Sequence, residues 1–125
     1  MKILKREELK KEFLLGRVIQ KAVGKDGAST SGKITMGFAH YSKESGPMEP
    51  HHHAEEVIFV ISAQKAYVRF GPSPKDFGER IILEEGMTLH FSHLEWHVFE
   101  YDINGHLDIV FIYGQVDQIR PEEME

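Results

Sequence analysis

The sequence has no cysteine. Disulfide staples, thiolate nucleophiles and thiolate metal sites are therefore excluded. No apolar stretch approaches the roughly 20 residues that a membrane-spanning helix needs. The opening MKILKREELKK also lacks the apolar core of a secretory leader. A concentrated basic block is missing too. Lys5-Arg6 and Lys10-Lys11 are isolated pairs and the formal net charge is -5, so nucleic acid is not an expected partner, nor is a membrane. There is no Gly-any-Ser-any-Gly elbow to carry a hydrolytic serine. These absences lead us to expect a cytoplasmic protein whose chemistry does not depend on a side-chain nucleophile.

What is present is ordinary globular composition, with 41% hydrophobic and 28% charged residues in a chain of 125. A domain of this size buries roughly two-thirds of the surface its unfolded chain exposes and can fold without staples. We expect one domain over residues 1–125: an N-terminal segment with a first strand (1–32), a core (33–114) and a C-terminal tail (115–125).

In REELKKEFL, Leu9 and Phe13 stand four apart, which predicts a short helical segment over residues 6–14 with both on one face. Gly16 ends it. Beyond that point the chain reads as all-β. Strands are predicted over 17–23, 33–41, 57–61, 65–70, 80–83 and 87–91, with turn-rich connectors between them. In the second of these, Ile34, Met36, Phe38 and His40 alternate onto one face. Asn104-Gly105 is the dipeptide of a tight two-residue turn and predicts a hairpin joining residues 97–103 to 106–113. Many short strands with regular turns predict a sandwich or a barrel.

Histidine is the unusual count, at 8, and three stand together at His51, His52 and His53. On a strand, His51 and His53 would point the same way, about 7 Å apart, and could meet at one ion. Glu56 follows closely with a carboxylate. His97, with apolar neighbours Val98 and Phe99, is the candidate for a further ligand. The residues alone also allow a plainer reading, in which the histidine run beside Glu55 and Glu56 is a solvated loop.

Two spaced motifs bear on that choice. Gly46 is followed by four residues, then His51-His52-His53, two residues and Glu56, with Ala63 after six more. Gly86 is followed by five residues, then Ser92-His93-Leu94, two residues and His97, with Tyr101 beyond. This pair of motifs resembles the cupin superfamily over about residues 34–113. The first motif is one residue short on each side of its histidines. A register that uses His52 would put Pro50 where the first histidine belongs, whereas the register with His51 and His53 keeps a chelating pair. Alanine replaces the family's closing glycine at position 63, and serine and leucine replace its proline and glycine at 92 and 94.

The resemblance implies a double-stranded β-helix, or jelly-roll barrel. It implies one divalent transition metal inside the barrel, iron, manganese, nickel, zinc or copper, held by His51, His53, Glu56 and His97. It implies a metal-dependent dioxygenase or isomerase acting on a small molecule, with a non-catalytic ligand- or metal-binding module as the alternative. A homodimer is expected as well, because Val57–Ile61 and Leu107–Tyr113 are apolar on both faces.

A hairpin at Asn104-Gly105 would also set faces. It would place Ile112 opposite His97, Val110 opposite Phe99 and Asp108 opposite Tyr101, all six on one side of the sheet. On that register Tyr101 and Asp108 are candidate proton-transfer groups in the cavity, with His40 as a third.

Overall fold

The computed structural model of this chain describes residues 1–48, 50, 55–92 and 95–114. His51, His53 and the 115–125 tail lie outside the described residues.

Among the described residues, eight strands make up nearly all the regular structure. They are β1 (Glu12–Leu14), β2 (Arg17–Gly24), β3 (Ser29–Thr30), β4 (Ile34–Ser42), β5 (Glu56–Gly71), β6 (Ile81–Ile82), β7 (Thr88–Phe91) and β8 (Trp96–Gly114). Their order is β1-β2-β4-β8-β5-β6, with β3 beside β2 and β7 beside β5. All pairings are antiparallel except the short β2–β3 contact. This is the expected all-β jelly roll, and the sequence pattern explains it. β5 reads EVIFVISAQKAYVRFG, rich in β-branched and aromatic residues, and its first five residues alternate strictly between buried and exposed.

The barrel interior collects alternate residues from each long strand. Ile19 comes from β2, Ala39 and Tyr41 from β4, Ile58, Val60, Ala66 and Val68 from β5, and Phe99, Leu107, Ile109 and Phe111 from β8. Space is tight where β4 crosses. A Cβ at Gly37 would stand 2.6 Å from the Phe111 ring and 2.6 Å from the Gln20 carbonyl, so only glycine lets that ring lie against the strand.

Two expectations are corrected. The N-terminal helix is only a single 3-10 turn, Arg6–Glu8, followed by β1. Leu9 is buried whereas Phe13 is 77% exposed, so the two do not share a face. A nine-residue helix is marginal without tertiary support, and pairing of Glu12–Leu14 with Arg17–Ile19 takes its place.

The second correction concerns Asn104-Gly105, which is not a hairpin. β8 runs through it as one strand and pairs with β5 along both halves, Gln64 with His106 and Ala66 with Tyr101. Lys65, with φ of 52°, stands opposite residues 102–105 in a wide bulge. Gly105 lies against the backbone of β5, its hypothetical Cβ 2.6 Å from the Lys65 carbonyl and 2.7 Å from that of Gln64. A hairpin exchanges odd for even positions across the turn; a continuous strand does not. Leu107, Ile109, Phe111 and Tyr113 therefore face inward with His97 and Phe99, while Val110 and Ile112 are the more exposed residues between them.

Candidate functional site

His97 and Glu56 meet inside the barrel. His97 opens β8 just after Trp96, and Glu56 is the first residue of β5. Their exposures are 1% and 4%. His97 Nε2 lies 3.8 Å from Glu56 Oε1, beyond hydrogen-bond reach. Two donor atoms each about 2.1 Å from one ion can be at most about 4.2 Å apart, so this separation suits a shared ion.

The histidine is held in a defined tautomer. His97 Nδ1 lies 3.1 Å from the Glu95 carbonyl oxygen, which can only accept, so Nδ1 carries the proton. In its neutral form the ring then presents the Nε2 lone pair toward the carboxylate. Its orientation is fixed further by Phe91, whose ring stacks on it at 4.0 Å with 18° between planes. Around the pair is a cavity of ≈ 20 Å³, walled on its apolar side by Ile58, Phe99, Ile109 and Phe111. That is room for roughly one water or ion.

Among the described residues, no three metal-ligating side chains converge. Of the four proposed ligands, Glu56 and His97 are thus brought together, and His51 and His53 lie outside the described residues.

The three proposed proton-transfer residues are placed elsewhere. Asp108 and His40 are adjacent in the β4–β8 ladder but on the outer face of the sheet, because β8 keeps its parity through Gly105. There Arg6 donates two hydrogen bonds to Asp108, at 2.6 and 2.7 Å, and His40 Nδ1 lies 3.2 Å from the same carboxylate. Gln20 completes the cluster. It accepts from Arg6 Nε at 3.1 Å and donates to the carbonyls of Arg6 and Leu9. The arrangement pins the N-terminal segment onto the barrel wall. Burial pushes the Asp108 carboxyl up, but the hydrogen bonds and charge of Arg6, helped by His40, outweigh it and hold it below its ordinary value. Tyr101 keeps an inward, half-buried position against the core. Its hydroxyl donates to the Gly46 carbonyl. Burial, and then the charge of Glu44, raise its pKa above the ordinary value.

Sequence reasoning missed two arginines. Arg6 gave no signal, since its partner lies 102 residues away. Arg17 lines the same cavity as Glu56 and His97. Its position two residues before Ile19 in a predicted strand was the clue.

No protein-family model matches the sequence, and no curated protein matches it. Solved structures do. The polyketide cyclase RemF from Streptomyces resistomycificus superposes with a TM-score of 0.70 and 17% identity, over 97% of this chain and 82% of that one. A cupin-like protein from Thermotoga maritima gives 0.64 and 15%, over 93% and 83%. The fold is that of the cupins. Fe(II)-HppE with an alternative substrate shares the cupin fold of this chain at a TM-score of 0.66 and 11% identity, over 90% of this chain and 60% of its own. Among the described residues no helix is long and apolar enough to cross a membrane.

Proposed function

We propose that this cupin-fold protein holds one divalent transition metal inside its barrel and acts on a small polar metabolite as a metal-dependent dioxygenase or isomerase. The observation that carries the reading is the buried Glu56–His97 pair, with the imidazole held through Nδ1 by the Glu95 carbonyl and its Nε2 3.8 Å from the carboxylate. A donor set of imidazole and carboxylate without thiolate suits iron, manganese, nickel, copper or zinc. Two similar folds support it by their names, an Fe(II)-bound HppE and an oxalate decarboxylase from B. subtilis.

In this reading His51 and His53 complete the ligand set. A bound ion supplies Lewis-acid polarisation and, for iron or manganese, redox chemistry. The protein's own contribution is orientation and dryness. Glu95 and Phe91 fix His97, Glu56 brings the negative charge, and Phe99, Ile109 and Phe111 exclude bulk water.

The test is metal analysis of untagged protein. Wild type should hold about one metal ion per chain, and His97→Ala should retain it roughly tenfold less well or worse. Equal metal content in the two would overturn the assignment. The small cavity favours a second reading, a binding module without turnover. Oxygen uptake and isomer formation across diols, keto acids and phenols separate the two. Turnover that disappears in Glu56→Gln identifies the enzyme, and stoichiometric metal without turnover identifies the module.

A further inference from the structure

We infer that the outer face of the barrel carries a binding site of its own, a cleft beside the N-terminal segment that takes an uncharged phenolic molecule. The inference is independent of the metal reading above.

The sheet register assembles the site. Val18, His40, Asp108 and Ser62 are successive cross-strand neighbours on β2, β4, β8 and β5. Side chains opposed in this way share one face. Ser62 reaches that face through a bulge. Val60 is fully buried in the core, and strict alternation would send Ser62 inward after it. The register slips between Val60 and Ser62, so the serine turns outward to stand beside Asp108. The next row on one side, Phe38, Val110 and Phe59, is apolar. A polar row that a bulge completes beside an apolar one has a reason beyond sheet packing, since bulges re-aim side chains at sites.

His106 extends the row. Its ring stacks with that of His40, 6.0 Å between centroids and 17° between planes, and its Nε2 lies 3.3 Å from Ser62 Oγ. Between these residues and the N-terminal segment lies a cleft of ≈ 570 Å³, to which the segment contributes Glu7, Lys11 and Phe13. Small-molecule sites commonly span about 300–1,000 Å³, so the cleft has room for a metabolite.

The groups left over decide the ligand. Arg6, Gln20 and the Asp108 carboxylate are engaged with one another. That carboxylate only accepts, so His40 Nδ1 donates to it, and in the neutral ring Nε2 remains as an acceptor. Arg6 and Lys11 balance Glu7 and Asp108, so with both imidazoles neutral the lining selects neither an anion nor a cation. Phe13, 77% exposed, and the paired imidazoles offer flat faces to an aromatic ring. An uncharged aromatic ring with a hydroxyl to donate to His40 Nε2 meets all of these conditions.

The experiment is fluorescence titration of 2-naphthol, and of 2-methoxynaphthalene, which has no hydroxyl donor, into the full chain before and after treatment with a chelator. About one 2-naphthol should bind per chain, and the methoxy compound should bind about tenfold more weakly, the loss of one hydrogen bond. His40→Phe keeps a flat ring without the acceptor. It should weaken 2-naphthol about tenfold and leave the methoxy compound unchanged. Phe13→Ala should weaken both compounds about fivefold. Chelation should change neither affinity. No binding of 2-naphthol, equal affinity for the two compounds, or a 2-naphthol affinity that His40→Phe leaves unchanged would each overturn the inference. Binding lost on chelation would put the ligand at the barrel interior and overturn it too. Should His40→Phe fail to fold, Phe13→Ala decides, because that side chain is exposed and its loss leaves the core intact. Unchanged 2-naphthol affinity in Phe13→Ala counts against the cleft.

Discussion

Asp108 shows how a single side chain reports its surroundings. Its folded-state pKa is held below the ordinary 3.8 because Arg6 and His40 favour the carboxylate more than burial opposes it. A depressed carboxylate contributes stability that is fully present above its unfolded pKa and is lost as pH falls through the folded one. Stability from this group should therefore be constant at neutral pH and decline below about pH 3.8. Asp108→Asn should cost about 1.5 kcal/mol at pH 7, the low end for a charged hydrogen-bonded pair because Arg6 is partly exposed. The gap between the two proteins should close on acidification. Urea unfolding at pH 7 and pH 3 measures it, and a gap as large at pH 3 as at pH 7 refutes the account. Glu56 and His97 were legible in the sequence because spacing to a glycine and to a histidine run is local information. The Arg6–Asp108 pair was not, because nothing local marks a contact that joins the two ends of the chain.

At the scale of elements, Asn104-Gly105 shows where local signals mislead. The same dipeptide serves a tight turn, where glycine supplies a positive φ, or a bulge, where a residue without Cβ permits close backbone approach. What decided was the partner strand. β5 is long enough to pair with both halves of β8, and the ladder of Glu56–Gly71 with Trp96–Gly114 outweighs a two-strand hairpin that would stand alone. The alternation of β2, β4 and β5 was readable in the sequence. The face of Leu107–Tyr113 was not, because one misread glycine inverts the parity of everything after it. Gly105→Ala should destabilise the protein by about 1–3 kcal/mol, as carbonyls of β5 stand at 2.6 and 2.7 Å from the added methyl. Gly32→Ala, with nothing within 4 Å, should change stability by less than about 0.5 kcal/mol. Equal melting temperatures for the two variants would count against the close approach at the bulge.

Over the whole molecule, barrel class was legible from strand count and turn spacing, while the expectation of a dimer rested only on an excess of apolar surface. The outer face now has an address. Val57 pairs with Ile112 and Phe59 with Val110, and Val57, Phe59 and Ile112 are each more than a third exposed. The N-terminal turn covers the neighbouring ground around Gln20 and Asp108 but not this row. We propose that a second copy covers it, since the row carries no charge and can meet its own image without repulsion. Light scattering should give twice 14.4 kDa at micromolar concentration, and Phe59→Lys should return the monomer. A wild-type monomer under those conditions would remove the proposal.

The position of β8 bears on how the chain is made. β4 and β5 do not pair with each other; each lies against β8, the last of the described strands. During synthesis both must wait for residues 96–114 to emerge before either long ladder can zip. Through that interval β5 has only the short β6 and β7 to pair with, and apolar strands left partly unpaired in this way are the kind of segment that chaperones attend. Closure of the barrel is thus a late, non-local event that rewards the chain only when β8 arrives, and topology of this kind folds slowly for its size.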